Sequence, residues 1–350
     1  MSHQAFHHRL RSWGGWPVVV LVVLAAAVPE ILTGTTTLTG SPTILSNVVG
    51  LPLRMALYGP GALLIREVVR RRGGSWPSML VFGAIYAAFF EGLLEPAWLT
   101  PQLFPPNGHP YGAAFGVFWT YAAFNIGFHS IWSITLPIVL TEILFRRRRY
   151  QSWLGAGGIR LAAAVFVLGA SFTALFFRHV TMARYGIDAK IGPIRYLGVV
   201  LFVVVLTLLG WRSTKWVNQL GRAERRAPAA WLVGLSAAVG ALLWFATIEP
   251  DAWVRHLPIP VTLLWQFAIV VAGVLLVREW AAREAWGNQH RLALIAGALG
   301  GETFGGYLIF HRTGVNLVFE IGAGIVAVTA LVIMAAVVGN RTDAWARVVP

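Results

Sequence analysis

Apolar residues in this chain run together in blocks of about 20 rather than alternating or recurring at a surface-helix period. The blocks lie near residues 16–34, 44–69, 77–97, 120–145, 159–177, 195–211, 230–248, 260–278, 291–310 and 317–339. At 1.5 Å of rise per residue, each is long enough to cross a hydrocarbon core of about 30 Å as a helix. The pattern predicts an all-α fold, a polytopic transmembrane helical bundle of about ten spans that forms one integral membrane domain over residues 1–350. The apolar stretch from Gly112 to Phe145 is the exception, because as one upright helix it would be about 50 Å long. Residues 111–123 are therefore expected to lie as an interfacial or re-entrant helix before span four, with the span proper starting near Phe124. Regions 212–229 and 279–290 are short, amphipathic and rich in arginine and tryptophan, and read as helices lying among lipid headgroups.

Composition agrees with the pattern. The chain is 57% hydrophobic and 12% charged, with a mean hydropathy of +0.67, whereas soluble domains run at about 45–50% apolar and about 25% charged. It has no cysteine, which excludes disulfides and thiolate metal sites. The net charge of +14 comes from arginines clustered beside apolar blocks, as in Arg70–Arg72 and Arg146–Arg149. Charge so placed reads as a topology signal that meets anionic lipid, and nucleic acid is not expected as a partner. The segments after even-numbered spans hold most of the Lys and Arg, while residues 35–43 and 98–111 hold none. That bias puts both termini in the cytoplasm; only the stretch near 178–195, with Arg178, Arg184, Lys190 and Arg195, departs from it. The basic stretch before the first block, with Pro29 and Glu30 following Ala25–Ala27, reads as an uncleaved first span. Basic residues that are nearly all arginine point to GC-rich coding and so to a bacterial inner membrane. Glycine pairs in ALGGETFGGYL and EIGAGIVAV allow close helix approach within spans 291–310 and 317–339, or a face for self-association.

Ionisable residues inside such blocks cost free energy, so they face a protein interior or a water-filled cavity. Glu30, Arg54, Glu91, Glu95, His129 and Glu302 are the ones in question. Counting rise from the inner face puts Glu30 and Glu91 about 21 Å up, His129 about 24 Å and Glu95 about 27 Å, on sequential antiparallel spans. Arg54 and Glu302 lie nearer the middle, and Arg54 has two candidate partners, Glu302 and Glu30. Glu142 stands four residues before Arg146, the spacing of a helical ion pair near the inner surface. Three chemistries fit Glu91, Glu95 and His129. A glutamate can activate water with a histidine as proton or oxyanion partner. The same three side chains can bind a divalent metal, although no HExxH is present and no cofactor is expected. With Glu30, Arg54 and Glu302 they can also line a proton relay or substrate path.

The segment YAAFFEGLLEP is similar to the first motif, a Glu-Glu pair followed by Arg, of the CAAX-prenyl protease and bacteriocin-processing (CPBP) family of intramembrane proteases. FHSIW is similar in position to that family's histidine-bearing helix. The resemblance covers about 60 residues, and here Phe90 replaces the first glutamate, Pro96 the arginine, and Asn125 the residue four before the histidine. It implies a Glu/His-based intramembrane hydrolase in which Glu91 is the base and His129 the oxyanion or proton partner. A proton-coupled transporter or permease, and a non-catalytic membrane assembly subunit whose polar residues are structural pairs, remain the alternatives.

Overall fold

A computed structural model describes residues 15–34, 44–100, 111–184, 186, 191–216, 223–249, 256–310 and 317–339. Ten long helical segments stand where the apolar blocks predict them. They are α1 (Trp16–Leu32), α2 (Ile44–Arg71), α3 (Trp76–Leu94), α4 (Trp119–Leu144) and α5 (Ala156–Thr181). There follow α6 (Pro193–Trp216), α7 (Ala230–Phe245), α8 (Ile259–Ala281), α9 (Asn288–Phe310) and α10 (Leu317–Gly339). Six of them, α3, α4, α5, α6, α8 and α9, are long and apolar enough to cross a membrane, which makes this a multi-pass membrane protein. Large apolar side chains such as Leu168, Leu175, Leu197, Leu208, Leu264 and Phe267 point outward from α5, α6 and α8. In lipid that exposure carries no hydrophobic penalty.

The bundle is organised around α4, most of which is enclosed. One face of α4 gives Ile134 and Ile138 to a core with Leu21, Leu57, Tyr58, Met79, Tyr86 and Phe90. Its other face gives Phe124, Phe128, Trp132 and Leu136 to a second core with Trp244, Phe245, Ile295 and Leu299. Two glycines set the closest approaches. A Cβ on Gly83 of α3 would stand 2.6 Å from Ser130 Cα, so only glycine lets α3 lie directly on α4 there. A Cβ on Gly297 of α9 would collide with the Gly234 carbonyl oxygen of α7. Gly301, Gly305 and Gly306 of the same glycine-rich stretch likewise pack on α7 and on Thr33, so these small residues are used inside the chain.

Among the described residues four helices are locally unwound into π geometry, at Val28–Leu32, Phe90–Leu94, His129–Thr135 and Phe177–Thr181. The first three lie beside a proline that lacks an N–H and crowds the preceding turn: Pro29, Pro96 and Pro137. In all three cases a threonine four residues on donates its hydroxyl to the proline carbonyl: Thr33, Thr100 and Thr141. Side-chain hydroxyls of this kind satisfy backbone groups that a broken ladder leaves open in lipid.

Two local expectations are corrected. Residues 111–118 do not form an interfacial or re-entrant helix; they form a tight hairpin in which β1 (Ala113–Ala114) pairs antiparallel with β2 (Val117–Phe118). Gly112, Phe115 and Gly116 take positive φ, which stops a helix, and α4 begins at once at Trp119. The basic linkers hold no separate headgroup-lying helix among their described residues either: 212–216, 279–281 and 288–290 belong to the ends of α6, α8 and α9. Ala223–Arg226 (β3) pairs in parallel with Arg283–Glu284 (β4), and Ala227 N–H continues the contact by donating to the Glu284 carbonyl at 2.9 Å. Backbone pairing across two linkers satisfies groups that two short helices would leave unpaired at their ends.

Candidate functional site

The π turn of α3 carries Glu91 and the π turn of α4 starts with His129, and Gly83 holds the two helices together below them. His129 Nε2 lies 3.3 Å from Glu91 Oε1, and its Nδ1 lies 2.8 Å from Ser133 Oγ. The arrangement fits a neutral imidazole that donates from Nε2 to the carboxylate and accepts the Ser133 hydroxyl proton at Nδ1. An imidazole held at both nitrogens has one orientation, the condition a proton-transfer group must meet. The His129 side chain is only 3% exposed and that of Glu91 11%. Aromatic rings close the pocket around the imidazole: Phe90 and Phe128 at 5.2 Å between centroids, Tyr58 and Tyr86 at 6.0 Å.

Glu30, in the π turn of α1, forms the next layer. It accepts from Tyr58 Oη at 2.9 Å and pairs with Arg54 Nε at 2.8 Å. Of the two partners the sequence leaves to Arg54, the structure therefore chooses Glu30. Tyr58 joins the layers, since its hydroxyl reaches Glu30 while its ring stacks on His129. Glu95 terminates the α3 π turn, donating its N–H to the Phe90 carbonyl at 2.9 Å, and lies within electrostatic reach of Glu91, Glu30 and Arg54. The layer of Glu30, Arg54 and Glu95 is partly exposed and the Glu91–His129 layer beneath it is buried, so polarity leads inward from the bundle surface. Among the described residues no group of three or more His, Cys, Asp or Glu side chains is placed to hold a metal ion.

Among the described residues no hydrogen bond or ion pair brings Glu302 into this cluster. It is fully buried on α9, and neither carboxylate oxygen has a hydrogen-bond partner. One turn earlier the Ala298 carbonyl accepts Trp132 Nε1 at 3.1 Å, and one turn later Gly306 meets Thr33. Glu302 thus lies on the second core, across α4 from Glu91.

Glu142 has partners beyond its own helix, which the helical spacing does not show. It is fully buried, and its carboxylate is held by Arg70 of α2, with Nε at 2.8 Å and Nη2 at 2.5 Å. Arg66, equally buried, adds Nε at 3.2 Å, pairs with Glu67 at 2.9 Å and lies 3.4 Å over the Trp153 ring. Its Nη2 donates to the carbonyls of Arg149 and Gln151, and Glu67 accepts the Trp153 N–H at 2.7 Å. These contacts fasten the loop after α4 back onto the end of α2. An i,i+4 rule sees only one helix, and so it misses partners 72 residues away.

Sequence reasoning brought Glu91 and His129 to one level but gave Ser133 no role beside His129 and overlooked Tyr58 and Tyr86. Ser133 and Tyr58 each stand four residues along a helix from a charged or titratable group already singled out, His129 and Arg54, and that spacing was the available signal. Comparison with family models, with curated proteins and with solved structures gives no match for this chain.

Proposed function

We propose that this chain is an intramembrane hydrolase in which Glu91 activates water and His129 handles the proton, a chemistry like that of the CPBP peptidases. The observation that carries the reading is the 3.3 Å approach of His129 Nε2 to Glu91 Oε1, with Ser133 fixing the far nitrogen. In the step proposed, the Glu91 carboxylate takes a proton from water as the water oxygen bonds to a substrate carbonyl carbon. The tetrahedral intermediate then expels its amine or alcohol, which takes that proton back directly or through His129. The slight exposure of Glu91 and the partly open layer above it offer a route for water. The preponderance of arginine over lysine supports a bacterial inner membrane, and the uneven placing of positive charge between the loops supports cytoplasmic termini.

The test is cleavage of leucine-rich membrane peptides by the full chain in liposomes, with products read by mass spectrometry. Glu91→Gln and His129→Ala are expected to abolish cleavage while folding normally. If both variants cleave like the wild type, the hydrolase reading is lost.

One observation favours a second reading, a proton-coupled transporter: the buried Glu302 carboxyl without a hydrogen-bond partner. Intramembrane carboxyls of this sort mark proton routes. The two readings part at Glu302→Gln, which leaves peptide cleavage intact in a hydrolase but stops proton flux into dye-loaded liposomes in a transporter.

A further inference from the structure

Three buried donors without an acceptor gather around the Glu91–His129 pair. Tyr86 packs its ring on His129, is electrostatically close to Glu30, Glu95 and Glu91, and leaves its hydroxyl unpartnered. Asn125 lies one turn before His129 on α4; it hydrogen-bonds Tyr121 but leaves Nδ2 unpartnered. Trp98 packs against Ala88 and Ala122 and against Gly92, the residue after Glu91, and its Nε1 is unpartnered too. All three side chains are neutral and can donate without bringing a charge into an apolar interior.

A buried donor without an acceptor costs as much as a lost hydrogen bond, so native interiors rarely leave one open. Three around one acid–base pair are best explained by an acceptor that arrives with a ligand. Glu30 does not fill that role, because its two oxygens already serve Tyr58 and Arg54, and Glu91 Oε1 already serves His129. The surroundings select the rest of the ligand. Phe90, Phe128 and Tyr58 ring the site, so the group that enters carries apolar chain on either side of its polar atom.

We infer that Tyr86, Trp98 and Asn125 form a donor cradle for the oxygen of an acyl carbonyl, a peptide amide or a lipid ester, presented beside Glu91 and His129. The inference rests on the hydrolase reading and deepens it. As the carbonyl carbon becomes tetrahedral its oxygen gains negative charge, and fixed neutral donors in a dry site stabilise that charge most at that moment.

Two probes test it on the full chain in detergent micelles, a leucine-rich peptidyl trifluoromethyl ketone and hexadecyl trifluoromethyl ketone. Both hydrate to mimic the tetrahedral oxygen, and binding is read by fluorine NMR. Tyr86→Phe, Trp98→Phe and Asn125→Leu are each expected to weaken the preferred probe about tenfold, with Tm unchanged or raised because an unpartnered donor has been removed. Tighter binding of the peptidyl probe assigns the cradle to an amide, and tighter binding of the alkyl probe assigns it to a lipid ester. If neither probe binds, or the three variants bind like the wild type, the cradle is overturned. Should Glu91→Gln still stop peptide cleavage in that case, the hydrolase reading survives without it. Unchanged cleavage in both Glu91→Gln and His129→Ala removes the hydrolase itself, and the cradle with it.

Discussion

Two buried polar regions, at different levels of the bundle, spend their hydrogen bonds in opposite ways. In the cluster of Arg66, Glu67, Arg70 and Glu142, each carboxylate takes at least two arginines and the surplus guanidinium donors reach backbone carbonyls. Around Glu91 and His129 the contacts are few: one at 3.3 Å, one serine, and three donors with nothing to bind. Saturation marks groups whose work is holding backbone in place: of the Arg66 and Arg70 guanidinium nitrogens only Arg66 Nε lacks a hydrogen bond, and it still pairs with Glu142 at 3.2 Å. Unanswered donors beside a titratable pair mark a place kept ready for something from outside. Burial alone would have ranked both regions alike, and it is the completeness of hydrogen bonding that separates them.

The sharpest way to break this contrast is to cut the saturated cluster. Glu142→Ala leaves Arg66 and Arg70 buried without their main counter-charge, and removal of one partner from a buried pair costs about 3–5 kcal/mol. Unfolding in denaturant, followed by tryptophan fluorescence, is expected to show that loss, with the loop at Trp153 becoming accessible to protease. A cost below about 1 kcal/mol would mean that the network is not structural. Glu91→Gln is expected to do the reverse. Stability should change by no more than about 1 kcal/mol, since the amide keeps the shape and a hydrogen bond to His129. Peptide cleavage in liposomes should fall by about 10²–10⁴, the usual contribution of a general base.

How much of this could be read from the sequence differs between the two regions for a physical reason. The bundle was legible because blocks of about 20 apolar residues admit few other folds. Glu91 and His129 were legible because both lie deep in sequential antiparallel spans, where counting rise suffices to set them level. The partners of Glu142 on α2 were not, because the approach of Arg70 depends on how α2 and α4 pack, which apolar periodicity does not encode. The hairpin before α4 was hidden for a different reason. Its residues are apolar enough to read as helix, and only the positive φ at Phe115 and Gly116 stops one from forming. Tyr86 and Trp98 look like ordinary core aromatics in the sequence, and become notable only once their polar atoms are seen to lack partners.

Ser133→Ala tests the contrast within the site itself. It removes the hydroxyl at His129 Nδ1 and leaves the imidazole free to rotate between the surrounding rings. A fall in kcat of about tenfold with KM unchanged is expected, since orientation of a proton-transfer group matters in the transition state more than in substrate binding. Equal loss in kcat/KM through KM alone would make Ser133 part of substrate binding instead.

The smallest expected effect decides to which region the Glu30 layer belongs. Tyr58→Phe keeps the ring on His129 and deletes only the hydroxyl bonded to Glu30. If Glu30 and Arg54 are a saturated structural pair, Glu30 loses one of its hydrogen bonds and stability falls by about 1.5 kcal/mol, a typical value for a bond to a charged group, with cleavage untouched. If the layer instead relays protons or water toward His129, stability moves less than activity, because water can replace the hydroxyl at a partly exposed carboxylate without reproducing its placement. The first outcome is expected, since Arg54 and Tyr58 hold the two Glu30 oxygens separately, as in the saturated cluster at the other level. Measured side by side in one detergent, unfolding and cleavage of this variant show where structure ends and the site begins.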